Sequence, residues 1–483
     1  MRDFPVARCL VSFGAGAPFL EITGRERRAG GRTIQVAFGA LLVSASVFAA
    51  ADARAQSPGA PGVGDPYFPA MGNGGYEVDH YDLRLSVRPR PNEVKAVATI
   101  SATATQSLSA FNLDFRGFKV TSVLVDGAPA ARTRRGGEMT VTPSAPIASG
   151  SAFAVTVAYR GRPRPIGGDG WIRTRDGTTV FSEPDGAPSW FPCNDHPSDK
   201  ATYSFTVTVP RRYRAIANGL LDSAQRGHGS RRFSWHEPEP MATYLATVTI
   251  GHFAIKRSTV HGLPAWTAVA PGQGRRSRGS LRKLPGIVDL FSSRFGEYPF
   301  SSTGSIVVPG KSETALETQT KPVYLGAPFP EVVAHETAHQ WFGDSVSVAQ
   351  WQDIWLNEGF ATWVTWMWQT RGADASLRRI FHAYYKKRPF GIRGFWKLPP
   401  GAPGPKKLFS LAVYYRGGMT LEALREKVGD AAFYATLRDW AAQHRHGNAS
   451  TQQFIALAEA DSGVQLDRFF DAWLFAPRRP PRP

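Results

Sequence analysis

Cysteine is nearly absent from this 483-residue chain: only Cys9 and Cys193 occur. Two thiols cannot build a zinc site of four thiolates, nor one of three thiolates and an imidazole. If the first 55 residues are removed, Cys193 stands alone and no intramolecular disulfide can form. Any bound metal must then be held by histidine and carboxylate. Acidic residues are also few, 39 against 57 Lys+Arg, so the formal net charge is +18. That excess fits anionic partners in principle. The arginines are spread along the whole chain, however, and no nucleic-acid motif accompanies them, so no nucleic-acid partner is expected. Long apolar runs are missing except for one, Ile34 to Ala51.

That run sits in a targeting pattern. Arg25, Arg27, Arg28 and Arg32 form a basic region ahead of it, and Ala53-Arg54-Ala55 gives a small-x-small cleavage signal before Gln56. Residues 1–55 are expected to be a signal segment, giving a secreted or extracytoplasmic protein. The alternative is a membrane anchor through residues 34–51, because about 18 apolar residues can just span a bilayer. Residues 56–75, rich in Gly, Pro and Ala, are expected to be a linker.

From Tyr76 to about 270 the pattern is β. Tyr81–Val87 alternates apolar and polar, as do Ala96–Ala104, Val120–Val125, Phe153–Tyr159, Tyr203–Val209 and Tyr244–Ile250. This predicts an N-terminal antiparallel β-sheet domain over 76–270. Residues 271–475 are expected to form a second, mainly helical domain, and 476–483 a disordered Pro/Arg-rich tail. Gly274–Lys283, basic and Gly/Ser-containing, is read as a solvated connection. Gln352–Thr370 carries Trp355, Trp363, Trp366 and Trp368, which are expected to pack in the core.

The chemistry concentrates in His335-Glu336-Thr337-Ala338-His339. Two histidines four apart stack on one helix face, and both imidazoles can reach a single Zn²⁺. Glu336 projects beside them, where it can serve as general base toward a water held at the metal. A catalytic zinc site takes three protein ligands and keeps one position open. Glu358, in Asn357-Glu358-Gly359, follows with 18 residues between it and His339, room for a turn and the start of a second helix. By composition, a chance motif of this kind occurs roughly 0.02 times in such a chain.

These phrases, with Trp355-Leu356-Asn357-Glu358-Gly359-Phe360-Ala361, resemble the aminopeptidase N and leukotriene-hydrolase family of zinc metallopeptidases, the gluzincin aminopeptidases. Thr314-Ala315-Leu316-Glu317-Thr318 is similar to that family's Gly-x-Met-Glu-Asn motif, Tyr414-Tyr415-Arg416-Gly417 to its Tyr-x-Lys-Gly motif, and Phe191–Ala201 to its Pro-Cys-x-Asp-x-Pro signature. The resemblance runs from about residue 75 to 475. It implies a saddle-like N-terminal sheet domain, a thermolysin-like catalytic domain, one Zn²⁺ per chain and peptide substrates with a free N-terminus. It also implies roles: Glu317 and Glu183 binding the substrate ammonium, and Tyr414 stabilising the oxyanion, with Tyr415 as the alternative register. Thr314 and Thr318 depart from the motif, and Thr365 stands where the family often has a glutamate. The family's large C-terminal helical domain has no room here, so a more open cleft is expected. A zinc endopeptidase with the same core, a non-catalytic secreted binding protein and, more remotely, an epoxide hydrolase remain as alternatives.

Overall fold

Alternating burial builds the first half of the molecule. In the computed structural model, which describes residues 56–310 and 314–482, the strand Tyr76–Arg88 buries every second side chain along most of its length. It lies in an eight-stranded sheet. The order runs Leu220–Arg226, Ser230–Ala242, Lys200–Pro210, Tyr76–Arg88, Glu93–Ala104, Ala152–Gly161, Lys119–Val125 and Ala128–Pro129. The pairing is antiparallel except between Lys200–Pro210 and Tyr76–Arg88, which run parallel. Two four-stranded sheets complete this β portion. The expected strand over Tyr244–Ile250 begins instead as a 3₁₀ turn, Thr243–Leu245, before Val248–Gly251.

A fourth sheet, of five strands, takes strands from both sides of residue 270. Its order is Ala254–Val260, Leu263–Val269, Thr303–Val308, Val323–Leu325 and Ala315–Leu316. Leu263–Val269, Thr303–Val308 and Val323–Leu325 are parallel, and the middle one is buried throughout, while Ala315–Leu316 closes the edge antiparallel. Glu317 follows directly on that edge strand.

Helices dominate from there on: α1 (Gly274–Leu281), α2 (Leu284–Phe295), α3 (Pro330–His339), α4 (Trp355–Thr370), α5 (Asp374–Tyr384), α6 (Gly417–Val428), α7 (Asp430–Gln443), α8 (Thr451–Ser462) and α9 (Asp467–Phe470). The α1 segment keeps its arginines exposed, as expected of a solvated connection, but it is helical rather than irregular. Its small buried serines, Ser277 and Ser280, face the core and it packs against α3, a tertiary contact that overrides weak local propensity. The tryptophans of α4 are core, as expected: Trp355 and Trp363 are fully buried, and their indole N–H groups donate to Thr451 Oγ1 and Glu422 Oε2.

Both expected loose ends are tied down. Residues 56–75 do not run as a free linker. Ser57–Pro58 pairs with Leu108–Asp114, and buried Asp65 accepts from the backbone N–H of Trp351 at 2.8 Å and meets His196 Nε2 at 3.2 Å. The tail 476–482 is likewise ordered: Pro480 is buried and accepts from the Tyr385 hydroxyl, and Arg479 and Arg482 lie over the Tyr385 ring. The targeting pattern lies outside the described residues. Among those described, no helix is long and apolar enough to cross a membrane.

Candidate active site

Helix α3 starts with Pro330 in its first turn, where a missing N–H costs nothing, and presents His335 and His339 on one face. Their rings sit 4.8 Å apart, close to perpendicular. Glu358, in the first turn of α4, reaches between them: its Oε2 is 3.3 Å from His335 Nε2 and 3.5 Å from His339 Nε2. These three side chains converge on one point, as a metal site requires. The Phe342 carbonyl lies 3.1 Å from His339 Nδ1, so Nδ1 carries the proton and Nε2 keeps its lone pair for a metal. Gly343 makes that turn possible. Its φ is +136°, and a Cβ there would press to 3.1 Å from His339 Nδ1. The donor set therefore fits zinc. His339 and Glu358 are almost wholly buried, whereas the His335 side chain keeps 19% of its surface, so the site opens on that side.

A second glycine contact brings in the tyrosine. Gly359 and Gly417 meet backbone to backbone; a Cβ on Gly359 would stand 2.9 Å from Gly417 Cα. Their neighbours are thereby drawn together, and the Tyr414 hydroxyl donates to Glu358 Oε1 at 2.9 Å while its ring stacks on His335. Tyr414 lies in a π-helical turn, Ala412–Arg416, that leads into α6. That turn points Tyr415 the other way, into the rings of Trp366, Tyr384 and Phe390. Arg416 anchors the turn: it is fully buried and donates to the carbonyls of Trp396, Leu398, Ala472, Trp473 and Ala476.

Three more carboxylates gather at the site. Glu336, on α3, lies with Glu317 and His339 in a group whose ligand atoms are all within 4.8 Å of one another. Glu183 follows the strand Thr178–Phe181 of the β portion. Oε1 of Glu183 and Oε1 of Glu317 are both buried without a hydrogen-bond partner. Burial, then Glu317, Glu358 and Glu336, push the Glu183 carboxyl well above the usual range. Burial and Glu358 raise Glu317 as well, with His339 opposing. Burial also raises Glu336, helped by Glu317 and Glu358 against His339. Burial alone would raise Glu358 too, but the imidazoles of His335 and His339 outweigh it and hold that carboxyl down at about 2. A pocket in which buried carboxylates repel one another is built to receive cations.

The structure therefore brings together all seven residues singled out by the sequence: His335, His339, Glu358, Glu336, Tyr414, Glu317 and Glu183. Thr365 does not reach them; its hydroxyl donates to the Ala361 carbonyl of its own helix. Thr318 closes a local turn onto the Lys321 carbonyl. Gln340 escaped the sequence reading. Its Oε1 accepts from Thr320 N at 2.8 Å and Tyr298 OH at 3.1 Å, and its Nε2 donates to the Glu317 carbonyl at 3.0 Å and Asp344 Oδ2 at 2.6 Å. One amide thus clasps the Glu317 loop to the residue after the second histidine. The signal was a buried-face glutamine adjoining the metal motif.

Residues 312–473 match the peptidase family M1 domain and residues 77–245 the peptidase M1 N-terminal domain. The chain is similar to Aminopeptidase M1 of Arabidopsis thaliana, 28% identical over 60% of this chain and 36% of that protein. It is also similar to the glutamyl aminopeptidase of Rattus norvegicus, 26% identical over 82% of this chain and 46% of that one. It thus spans less than half the length of these relatives. A solved M1 zinc metallopeptidase from Deinococcus radiodurans superposes with a TM-score of 0.81 at 29% identity, covering 87% of this chain and 99% of that one. A mutant of the latter protein has been solved with a Tyr-Ser-Ala substrate.

Proposed function

Since this chain belongs to the M1 family of zinc metallopeptidases, we propose that it is an aminopeptidase that removes single residues from the N-terminus of peptides. The carrying observation is the pair of orphaned buried oxygens on Glu183 and Glu317 beside the His335, His339 and Glu358 ligand set. A free α-ammonium satisfies both oxygens in a charge-assisted clasp. Held there, the terminus has a fixed reach to the metal, which selects the first peptide bond. Bound by the three ligands, zinc supplies a Lewis acid that polarises the scissile carbonyl and acidifies water.

The chain's own groups do the rest. Glu336, its proton affinity raised by burial, takes the proton of the attacking water and returns it to the leaving amine. The Tyr414 hydroxyl, beside His335 and Glu358, donates to the oxyanion as charge develops. The enzyme is further proposed to act outside the cytoplasm after cleavage near Gln56, on the strength of the basic, apolar, Ala-x-Ala order of residues 25–55. The mass of the exported protein checks this; retention of residues before Ile34 would refute it.

The deciding experiment compares one peptide with a free and with an acetylated N-terminus, with and without a chelator. Hydrolysis of the free peptide alone, abolished by the chelator, is the expected result. Equal cleavage of both forms would make the protein an endopeptidase instead.

A further inference from the structure

The outer face of the eight-stranded sheet carries a trough of about 780 Å³, lined among others by Arg84, Lys95, Arg160, Arg232, Thr206 and Thr208. None of these residues belongs to the catalytic site. Strand register places most of the cations in a single row. Arg232 pairs with Thr208, Thr208 with Ser86, Ser86 with Lys95, Lys95 with Arg160, and Arg160 with Lys119. The row crosses five strand gaps, roughly 24 Å at about 4.8 Å per gap. Lys95, Arg160 and Lys119 stand directly opposite one another on neighbouring strands, an arrangement that costs stability through like-charge repulsion. Among the described residues, none of Lys95, Lys119, Arg160 and Arg232 makes an ion pair. The nearest carboxylates are already engaged: Glu93 by Arg88 and Arg162, and Asp82 by Arg84. Ser86 and Thr208 fill the row with hydroxyls rather than apolar side chains, and Thr206 stands in a neighbouring row opposite Arg84.

We propose that this trough binds an extended acidic polysaccharide, a chain of uronate sugars lying across the strands. Such a chain carries both carboxylates and hydroxyls along its length, and the hydroxyls match Ser86 and Thr208, which stand between Arg232 and Lys95 in the row. An acidic peptide of aspartate and glutamate brings carboxylates but no hydroxyls to meet Ser86 and Thr208. Single-stranded nucleic acid calls for aromatic stacking platforms. The one aromatic in the lining, Tyr159, turns its ring into the core.

Because the whole chain is strongly basic, the test needs a charge-matched control. The trough variant Lys95→Gln/Arg160→Gln/Arg232→Gln is compared with Arg275→Gln/Arg276→Gln/Arg278→Gln, which removes three exposed arginines of α1. Binding to polygalacturonate, neutral dextran, poly-glutamate and oligo-dT is measured at about 0.15 M salt, where long-range attraction is screened. Aminoacyl-arylamide hydrolysis confirms that each variant is folded. Polygalacturonate should bind tightest, weaken at least about tenfold in the trough variant and stay within about twofold of the parent in the control. Equal weakening in both variants would overturn the proposal in favour of diffuse charge. Tighter binding of poly-glutamate or oligo-dT would overturn the choice of occupant, and no binding at this salt would overturn the site altogether.

Discussion

Replacing Gln340 by alanine removes one amide and strands four buried groups: Thr320 N–H, Tyr298 O–H, the Glu317 carbonyl and Asp344 Oδ2. A buried polar group left without a partner costs about 1–3 kcal/mol. Water entering the vacated space restores some of these bonds, leaving a local loss on the order of 3–5 kcal/mol. Three other anchors hold the loop: Asn218 Nδ2 to the Gln319 carbonyl, Gly219 N to Thr320 Oγ1, and Thr318 Oγ1 to the Lys321 carbonyl. The chain therefore still folds, but Glu317 loses its fixed distance from α3. A misplacement of about 1 Å costs roughly 10²-fold in rate. The expected result is a fall in kcat/KM of that order for a free peptide, carried largely by KM, with zinc content unchanged. The residual rate on the acetylated peptide should hardly move, because no ammonium is there to be misplaced. An unchanged ratio of free to acetylated kcat/KM would sink the idea that Gln340 positions the amine site. A parallel fall for both substrates would mark the residue as merely structural.

Other outcomes follow from the same geometry. Glu336→Gln leaves the three ligands intact and should retain zinc while losing roughly 10²–10⁴ in kcat, the usual worth of a general base; metal analysis beside single-turnover kinetics reads both. Tyr414→Phe should cost roughly 10²–10³ in kcat with little change in KM. Tyr415→Phe, within the cluster of Trp366, Tyr384 and Phe390, should leave turnover near normal, and the reverse pattern would refute the assignment. Burial brings the Lys200 ammonium down to about 7, with Asp344 opposing, while it donates to the carbonyls of Asp344, Ser345 and Gly447. The unfolded chain keeps that proton up to the ordinary lysine range, so it binds more protons between about pH 7 and 10.5 and stability rises with pH across that window. Thermal melts of Lys200→Met should show a flatter rise there than the parent; an identical slope would assign it to other groups.

What the sequence disclosed, and what it hid, divides by the range of the interactions. His335, Glu336 and His339 sit within one helical turn of one another, so periodicity alone fixes their shared face. The apolar alternation of Tyr81–Val87 likewise depends on neighbours two apart. Long-range partners are invisible to such reasoning. Asp65 looks like a loop residue until Trp351 and His196 arrive to meet it. The parallel pairing of Lys200–Pro210 with Tyr76–Arg88 joins segments more than a hundred residues apart and leaves no local trace. The choice between Tyr414 and Tyr415 turned on a π-helical turn, whose extra residue changes which ring faces Glu358. Gln340 was silent for the same reason: each of its partners but Asp344 is distant in sequence.

Charge balance supports the proposed dependence of the site on its substrate's amine. Glu183, Glu317, Glu336 and Glu358 bring four buried carboxylates together. A divalent metal on the ligand set and one ammonium between Glu183 and Glu317 offset three of those charges. The remaining negative charge belongs to Glu336, the group whose work is to accept a proton, and accepting it brings the cluster to neutrality. A peptide with a blocked terminus leaves one charge more, and both orphaned oxygens stay bare. Sites that depend on a buried polar contact reject ligands lacking it by roughly 10⁴–10⁵-fold. On the proposed reading, selectivity for free N-termini and readiness of the base have a common origin, the excess of buried carboxylate over cation.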